Sequence, residues 1–454
     1  MVSPAQLHHP NIKVSQVRGY RADILYFDDR GQAHLQSDGL LVVGPDPAQL
    51  VVCDVVLACG AFSAIRPDYP HVDITHYPGK WLAPGFVDLH SHYPQLDVIG
   101  SPSPGLLPWL EDYTFPAEAK FADPTWATSR AGFFLDELCR HGVTTSLAFA
   151  TSHVTSVEAL FTNARARGMR ILTGKCLQDQ HCPDGVRDTT EQSLLDTEML
   201  INRWHGVDRL GYAITPRFVP TSSHAQLAGA GELAKQYGSV WVQSHVAENH
   251  DEIAWVASQH PAARSYLEVY NQYGLLRKRS VYAHCIYLDA QDRDLMAQTG
   301  AAAAICPTSN AFLGSGFFDF SAGKSHHMAM GLASDVGGGT SMNVFRTMRA
   351  AYETARVALP NQGRAATTLS PSYLWWLHTA GAAQALDLAG VVGNLQPGCE
   401  ADFVVINPKA TPMLARKALV CETLDEQLFA MIVLGDDRLI QQTHVALPTM
   451  LADC

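Results

Sequence analysis

The sequence has no leader-like stretch, no membrane-spanning stretch and no paired-cysteine motif. Residues 1–20 contain no apolar segment of the kind that a secretory signal peptide carries. No uninterrupted apolar run approaches the roughly 18 residues that a membrane span requires. The ten cysteines are scattered without a CxxC pair, which is typical of reduced thiols in a cytosolic protein. We therefore expect a cytoplasmic protein with no membrane attachment.

An excess of basic residues is also missing. The chain has 32 Lys and Arg against 44 Asp and Glu, for a net charge of −12, and this balance argues against binding to the phosphate backbone of nucleic acids. A hydrophobic content of 47% and a charged content of 17% are normal for a globular protein with a large core. The 454 residues are enough for one large barrel with an attached domain.

The most informative stretch runs from Trp81 to Asp97 and reads WLAPGFVDLHSHYPQLD. Its apolar part leads directly into His90-Ser-His92. On a β-strand, residues i and i+2 point to the same side, so the two imidazoles would face one point. Two imidazoles at the end of a buried strand are a start for a divalent-metal site. An isolated HxH is equally well explained as a surface turn, so the choice depends on whether other strand ends supply further ligands.

From Leu82 onward, apolar strands alternate with segments of helical length, and several of these begin with capping residues such as Asp123. Repeated strand–helix alternation is the pattern of a (β/α)8, TIM-like barrel. The predicted strands are Gly85–His90, Val143–Phe149, Arg170–Lys175, Leu210–Pro216, Val240–His245, Ser280–His284, Ala301–Cys306 and Met328–Asp335.

Both ends of the chain contain short β-type segments. Asp23–Phe27, Leu40–Val43 and Gln49–Val52 predict a small antiparallel unit near the N-terminus. The stretch Gly390–Ile406 is β-like again, and the simplest topology pairs it with the N-terminal segments. We therefore predict a small β-sandwich domain built from residues 1–81 and 390–454, with the catalytic barrel spanning residues 82–389.

In a barrel of this type the active site lies at the C-terminal ends of the strands. His90 and His92 end strand one, His245 ends strand five and Asp335 ends strand eight. Three imidazoles and one carboxylate form a ligand set suited to Zn²⁺ or Fe²⁺. Each residue alone has an ordinary structural explanation, but their joint occurrence at strand ends favours a mononuclear metal site.

Other strand ends carry groups that could act beside such a site. Glu248 follows the predicted ligand His245 by three residues and is the natural general acid/base. His284, at the end of strand six, could orient or deprotonate a water or hold an oxyanion. Lys175 ends strand three; since the ligand set is complete without it, we interpret Lys175 as a structural or supporting residue.

These motifs resemble the amidohydrolase superfamily, and within it the guanine deaminase family. The resemblance covers nearly the whole chain. It rests on HSH, SHxxE, AHC and SDVGGG at the strand ends, and on the narrower segments HYPQ, LLPWLEDYTFPAE, TPRF and CPTSN. The match is vague only in the N-terminal β segment and after Asp437.

The resemblance implies a zinc-dependent hydrolase that converts guanine to xanthine and ammonia in purine catabolism, with one zinc per subunit and a homodimeric assembly. It implies metal binding by His90, His92, His245 and Asp335, a proton shuttle at Glu248, and activation of water by His284 and Asp335. It places substrate contacts at Gln95, Arg217 and Phe218, residue types suited to a planar ring edged with donors and acceptors. Trp109 and Leu110 would form part of a lid over the ring.

The residues leave other readings open. A related aminohydrolase of the same fold could act on 8-oxoguanine, a pterin or a triazine with the same metal ligands and different ring contacts. A scaffold protein that had lost its metal should lack ligands, and this chain retains them all. A binding module without catalysis is disfavoured by so many converging titratable groups.

Overall fold

The computed structural model describes residues 17–28, 30–45, 53–357 and 366–446. Within these ranges the chain forms a parallel barrel and a separate mixed sheet from its two ends. The strands are β1 Arg18–Phe27, β2 Ala33–Pro45, β3 Asp54–Ala61, β4 Asp73–Pro84, β5 Phe86–His92, β6 Val143–Phe149, β7 Arg170–Gly174, β8 Cys176–Leu177, β9 Gly211–Pro216, β10 Trp241–Val246, β11 Ser280–His284, β12 Ala302–Ile305, β13 Ala329–Leu332, β14 Phe403–Ile406 and β15 Ile440–His444.

Helices connect the barrel strands and cover their outer face. The helices are α1 Phe62–Ile65, α2 Leu106–Trp109, α3 Phe115–Ala119, α4 Pro124–Arg140, α5 Val154–Arg167, α6 Thr190–Trp204, α7 His224–Gln236, α8 His250–Gln259, α9 Tyr266–Gln272, α10 Ala290–Thr299, α11 Pro307–Phe312, α12 Phe320–Ser325, α13 Val344–Arg356, α14 Pro371–Trp376, α15 Ala380–Ala385, α16 Pro412–Ala418 and α17 Leu424–Leu434. As predicted, the side chain of Asp123 caps α4 by accepting from the backbone N–H groups of Thr125 and Trp126.

The barrel strands lie in the order β5-β6-β7-β9-β10-β11-β12-β13, with the short β8 paired to β9. Two backbone hydrogen bonds link the first strand to the segment after the last. The Asp335 N–H donates to the His90 carbonyl at 2.8 Å, and the His92 N–H donates to the Val336 carbonyl at 2.7 Å. All eight predicted strands are present in the predicted order, so the predicted (β/α)8 barrel with an additional sheet is confirmed.

The second sheet has the order β15-β14-β4-β1-β2-β3 and joins both ends of the chain in one hydrogen-bonded path. The expectation of a purely antiparallel unit is wrong at one position, because β1 and β4 pair in parallel after the chain crosses over through β2 and β3. The β-like stretch from Gly390 is mostly turns, with positive φ at Gly390, Gly393 and Gly398, and only Phe403–Ile406 forms a strand. The predicted segment Gln49–Val52 lies outside the described residues. The predicted residue boundaries of the two domains stay a prediction.

None of the helices in the described ranges combines the length and apolar composition needed to cross a lipid bilayer. Nine cysteines fall within these ranges, and all nine are free thiols.

A buried ion cluster joins the terminal sheet to the N-terminal end of the barrel. Arg209, which precedes β9, donates to Glu400 at 2.8 Å and also pairs with Asp402. Arg170, the first residue of β7, pairs with the same Glu400. Burial alone would raise the pKa of Glu400, but the charges of Arg209 and Arg170 outweigh it and lower the pKa to about 2. The native fold therefore binds the ionised form of Glu400 preferentially.

We expect Glu400→Gln to destabilise the protein at neutral pH by roughly 3 kcal/mol, because it removes one carboxylate from the buried guanidinium groups of Arg209 and Arg170. A depressed carboxyl pKa contributes stability above the unfolded value near 4.5, and this contribution is lost as pH falls towards 2. The difference in unfolding free energy between wild type and variant should therefore shrink over that interval, as measured by denaturant unfolding at several pH values.

Glu353→Gln is the matched control, because Glu353 forms an exposed helical ion pair with Arg349, which contributes little to stability. Equal stability of wild type and Glu400→Gln at pH 7 would contradict the role assigned to the cluster.

Candidate active site

The four predicted metal ligands lie together at the C-terminal end of the barrel. His92 Nε2 is 3.1 Å from His90 Nε2 and 3.1 Å from His245 Nε2. Asp335 Oδ1 is 3.1 Å from His90 Nε2 and 3.4 Å from His92 Nε2. His284 joins this group, because His90, His245, His284 and Asp335 each offer one ligand atom within 4.8 Å of the others. The donor set fits a divalent cation of the zinc or iron type.

The protonation states also suit a metal site. Burial lowers the pKa of His90, and lowers that of His92 and His245 well below the ordinary value. The lowered pKa values favour the neutral form of these rings, which has a lone pair available for a metal. Burial would raise the pKa of Asp335, but the hydrogen bond from His90 and the neighbouring imidazoles hold it well below its usual range. A neutral-imidazole and carboxylate set is the form in which these side chains bind metals.

Hydrogen bonds behind two of the rings fix which nitrogen faces the centre. His245 Nδ1 donates to the Arg217 carbonyl at 2.6 Å, and His284 Nδ1 donates to Asn310 Oδ1 at 2.8 Å. A neutral ring that donates from Nδ1 presents the lone pair of Nε2, as His245 does. Burial would lower the pKa of His284, but the charges of Glu248 and Asp335 outweigh this effect and raise that pKa, which favours the protonated ring. Sequence reasoning assigned no role to Asn310, although it lies in the CPTSN segment on which the resemblance partly rests.

The chain bends sharply where it leaves the strands at this end. His284 has φ of +73° and Asp335 has φ of +48°, a left-handed region that non-glycine residues rarely adopt. Ala247, between His245 and Glu248, has φ of +51°. Non-glycine residues in this region persist where the surrounding structure holds them, and they are common at functional sites. These turns direct Glu248 and Asp335 back over the barrel opening.

Glu248 is buried and lies beside His284, with 3.3 Å between Glu248 Oε2 and His284 Nε2. Ser315 donates to Glu248 Oε1 at 2.8 Å. Burial raises the pKa of Glu248 to about 7, against the opposing effect of His284. A carboxyl group with this pKa can both accept and return a proton near neutral pH. Ser315 was not singled out from the sequence, because a serine between two glycines gives no signal of its own.

A cavity opens above these groups, and its empty space together with its open mouth measures about 420 Å³. All five predicted substrate contacts line it together with most of the predicted catalytic and metal-binding residues. The lining residues are His92, Gln95, Leu106, Trp109, Leu110, Arg217, Phe218, His245, Glu248, Glu252, His284, Leu313, Asp335 and Gly338. Trp109 and Leu110 pack in an apolar cluster with Phe218 and Phe115. The cavity is thus apolar along one side and polar at its base.

Two of the predicted substrate contacts are already held by a third side chain. Arg217 Nη1 donates to Glu118 Oε2 at 2.6 Å, and Gln95 Nε2 donates to Glu118 Oε1 at 2.9 Å. Because Arg217 Nη1 is engaged by Glu118, only part of the guanidinium remains available to donate to a ligand. Glu118 lies in the YTFPAE segment, which was noted in the sequence without a role for this residue.

Lys175 lies outside the cavity lining. Its Nζ pairs with Asp188 and lies 3.8 Å from Asp196. Burial lowers the pKa of Lys175 to about 8. These carboxylate partners support the interpretation of Lys175 as a structural residue, which stays a prediction.

Comparison with known proteins finds the same family by sequence and by structure. The Amidohydrolase family model matches residues 81–443. The guanine deaminase of Escherichia coli (strain K12) is 43% identical over 374 residues, covering 82% of this chain and 84% of that protein. The solved structure of E. coli guanine deaminase superposes with a TM-score of 0.87 at 38% identity, covering 95% of this chain and 98% of the other. Guanine deaminase from C. acetobutylicum with bound guanine in the active site superposes with a TM-score of 0.85 at 29% identity, covering 95% and 100%.

The ligand set predicts that His245→Ala will lose the bound cation. Removing one of three imidazoles leaves too few donors for tight binding, so we expect metal content to fall well below that of wild type. Elemental analysis of protein purified without added metal measures this directly. His326→Ala serves as the control, since His326 pairs with Asp294 at the surface. Unchanged metal content in the His245 variant would rule out this ligand.

Proposed function

We propose, because this chain belongs to the amidohydrolase family and within it to the guanine deaminases, that it hydrolyses guanine to xanthine and ammonia. The observation that carries the proposal is that one cavity is lined by Glu248, by three of the four metal-ligand candidates and by all five predicted ring contacts. The cavity combines an apolar wall with a few polar groups, as small-molecule sites do.

The metal is the first part of the proposal. His90, His92, His245 and Asp335 would hold one zinc ion, and Fe²⁺ is the alternative for this donor set. When bound, such an ion supplies Lewis-acid chemistry and lowers the pKa of water towards about 7. His284 lies at the edge of the set, where its Nε2 is 3.8 Å from Asp335 Oδ2, and we assign it, together with Asp335, to orienting the attacking water.

Glu248 carries the proton transfers. Hydrolysis forms a bond between the water oxygen and the purine carbon that bears the exocyclic amine, and it breaks the bond from that carbon to the amine nitrogen. Glu248 takes a proton from the water, delivers it to the adjacent ring nitrogen and assists departure of the amine as ammonia. Its burial and its hydrogen bond from Ser315 keep the carboxyl at one place in the cavity.

The ring contacts orient the purine for this reaction. Phe218 offers an apolar face, and Trp109 and Leu110 cover the cavity from the side of α2. Gln95 offers both donor and acceptor groups, and Arg217 offers N–H donors for a ring carbonyl or ring nitrogen. Neutral donors and acceptors of this kind match the edge of guanine. The roles of these five residues are part of the proposal.

A homodimer and a cytoplasmic location complete the proposal, following the expectations from the sequence. The subunit mass of 49.4 kDa makes the oligomeric state easy to measure by light scattering. A particle of one subunit mass at working concentration would exclude the dimer.

The direct test is incubation with guanine. We expect release of xanthine and ammonia in equal amounts, loss of activity after treatment with a chelator, and recovery on addition of zinc. 8-Oxoguanine, a pterin and a triazine should be turned over poorly, because the donor pattern of Gln95 and Arg217 fits the guanine edge. Turnover of one of these compounds without turnover of guanine would overturn the proposed substrate.

Replacing Glu248 by Gln tests the proton shuttle. The amide retains the size of the side chain but cannot accept and return a proton, so kcat should fall by about 10²- to 10⁴-fold while metal content is unchanged. Glu232→Gln on the exposed face of α7 provides a matched control with normal turnover. Near-normal kcat in the Glu248 variant would remove this residue from the mechanism.

A further inference from the structure

A buried carboxylate joins the two polar side chains that face the ring edge. The exposed fractions of Gln95, Glu118 and Arg217 are 2%, 1% and 3%. Each carboxylate oxygen of Glu118 accepts from a different one of the two neighbours, Oε1 from Gln95 and Oε2 from Arg217. Glu118 itself is absent from the cavity lining. Its influence on a ligand therefore acts through Gln95 and Arg217.

The first consequence concerns the orientation of Gln95. An ionised carboxylate only accepts hydrogen bonds, so the Gln95 atom that faces Glu118 is the amide nitrogen. The other end of the amide is held as well, since Gln95 Oε1 accepts from the Gly337 N–H at 3.3 Å. A flipped amide would place oxygen against carboxylate and nitrogen against an N–H donor. The donor and acceptor that Gln95 presents to the cavity are thereby fixed.

The second consequence concerns charge. A buried guanidinium without a partner is costly, and a carboxylate at hydrogen-bond distance compensates it. Arg217 has Glu118 at 2.6 Å, and its guanidinium also lies over the Phe115 ring at 5.1 Å from the centroid. Arg217 Nη1 is engaged by the carboxylate. The remaining N–H groups of Arg217 can still donate, but the pair as a whole carries no net charge.

We propose that Glu118 is a positioning residue that selects neutral over anionic purines. It holds Gln95 and Arg217 in one donor–acceptor pattern and cancels the charge of Arg217, so that this side of the cavity binds carbonyl and ring-nitrogen acceptors without attracting an anion. The inference rests on the proposed function and adds to it the basis for preferring an uncharged ring. Glu118 touches no reacting atom in this scheme.

The test compares wild type with Glu118→Gln. With guanine as substrate, the variant should show a KM raised about tenfold or more, and a kcat changed far less, because an interaction that positions the ring contributes equally to ground-state and transition-state binding. A loss confined to kcat would contradict a positioning role.

A second measurement compares the binding of two ligands that differ in charge. If the role of Glu118 were purely structural, its replacement would not change the preference between them. Urate is an anion at neutral pH and hypoxanthine is neutral, and calorimetry on the metal-loaded protein measures the binding of each without turnover. In Glu118→Gln the ratio of the urate Kd to the hypoxanthine Kd should fall about tenfold relative to wild type, because Arg217 is no longer neutralised. An unchanged ratio overturns the proposal.

Three further variants separate this effect from instability. Glu118→Asp retains the charge and should retain the wild-type ratio. The double variant Glu118→Gln/Arg217→Gln removes both charges, so its ratio of the urate Kd to the hypoxanthine Kd should not fall. This variant replaces the single variant in the test if Glu118→Gln does not fold. Glu400→Gln changes the same chemical group in the ion cluster at the other end of the barrel; it should lower the melting temperature without altering the KM for guanine or the binding ratio.

These experiments distinguish the proposed function from the role of Glu118. If the wild-type protein does not deaminate guanine, the proposed function is wrong, whatever the binding ratios show. If the wild type deaminates guanine and the ratio is the same in wild type and Glu118→Gln, only the role of Glu118 is wrong.

Discussion

The structure depends on bringing four donor atoms from distant parts of the chain to one place at the end of a parallel barrel. His90 and His92 come from the first strand, His245 from the fifth and Asp335 from the turn after the eighth. The lone pairs of neutral imidazole nitrogens about 3 Å apart repel one another, and a cation shared by the rings would remove this repulsion. Parallel strands make this possible because all their carboxyl ends open on the same side.

The sequence was sufficient for the parts of the molecule governed by short-range patterns. The alternation of apolar strands and helical segments predicted all eight barrel strands, since buried parallel strands are continuous apolar runs. The i, i+2 rule predicted that His90 and His92 face the same way, and they do. Membership in the guanine deaminases followed from segments such as HYPQ and TPRF, and the comparisons confirm it.

Contacts between residues far apart in the chain could not be read in the same way. Asn310 behind His284 and Ser315 beside Glu248 follow the seventh strand, and nothing in their local sequence says which side chain they reach. Glu118 is separated from Arg217 by 99 positions and stands in a five-residue helix, where an acidic residue is ordinarily exposed. The parallel pairing of β1 with β4 was missed for a similar reason, because hydropathy alternation does not encode strand direction.

The backbone bonds that join the first strand to the segment beyond the last have a further consequence. They are made by the His90 carbonyl, the His92 N–H and the Asp335 N–H. The junction that closes the barrel therefore involves three of the metal-ligand candidates. A fluctuation that parts these two chain segments also separates the imidazoles from the carboxylate. Opening of the barrel wall would therefore also disrupt the ligand set, and a cation bound by these residues would stabilise the closed barrel.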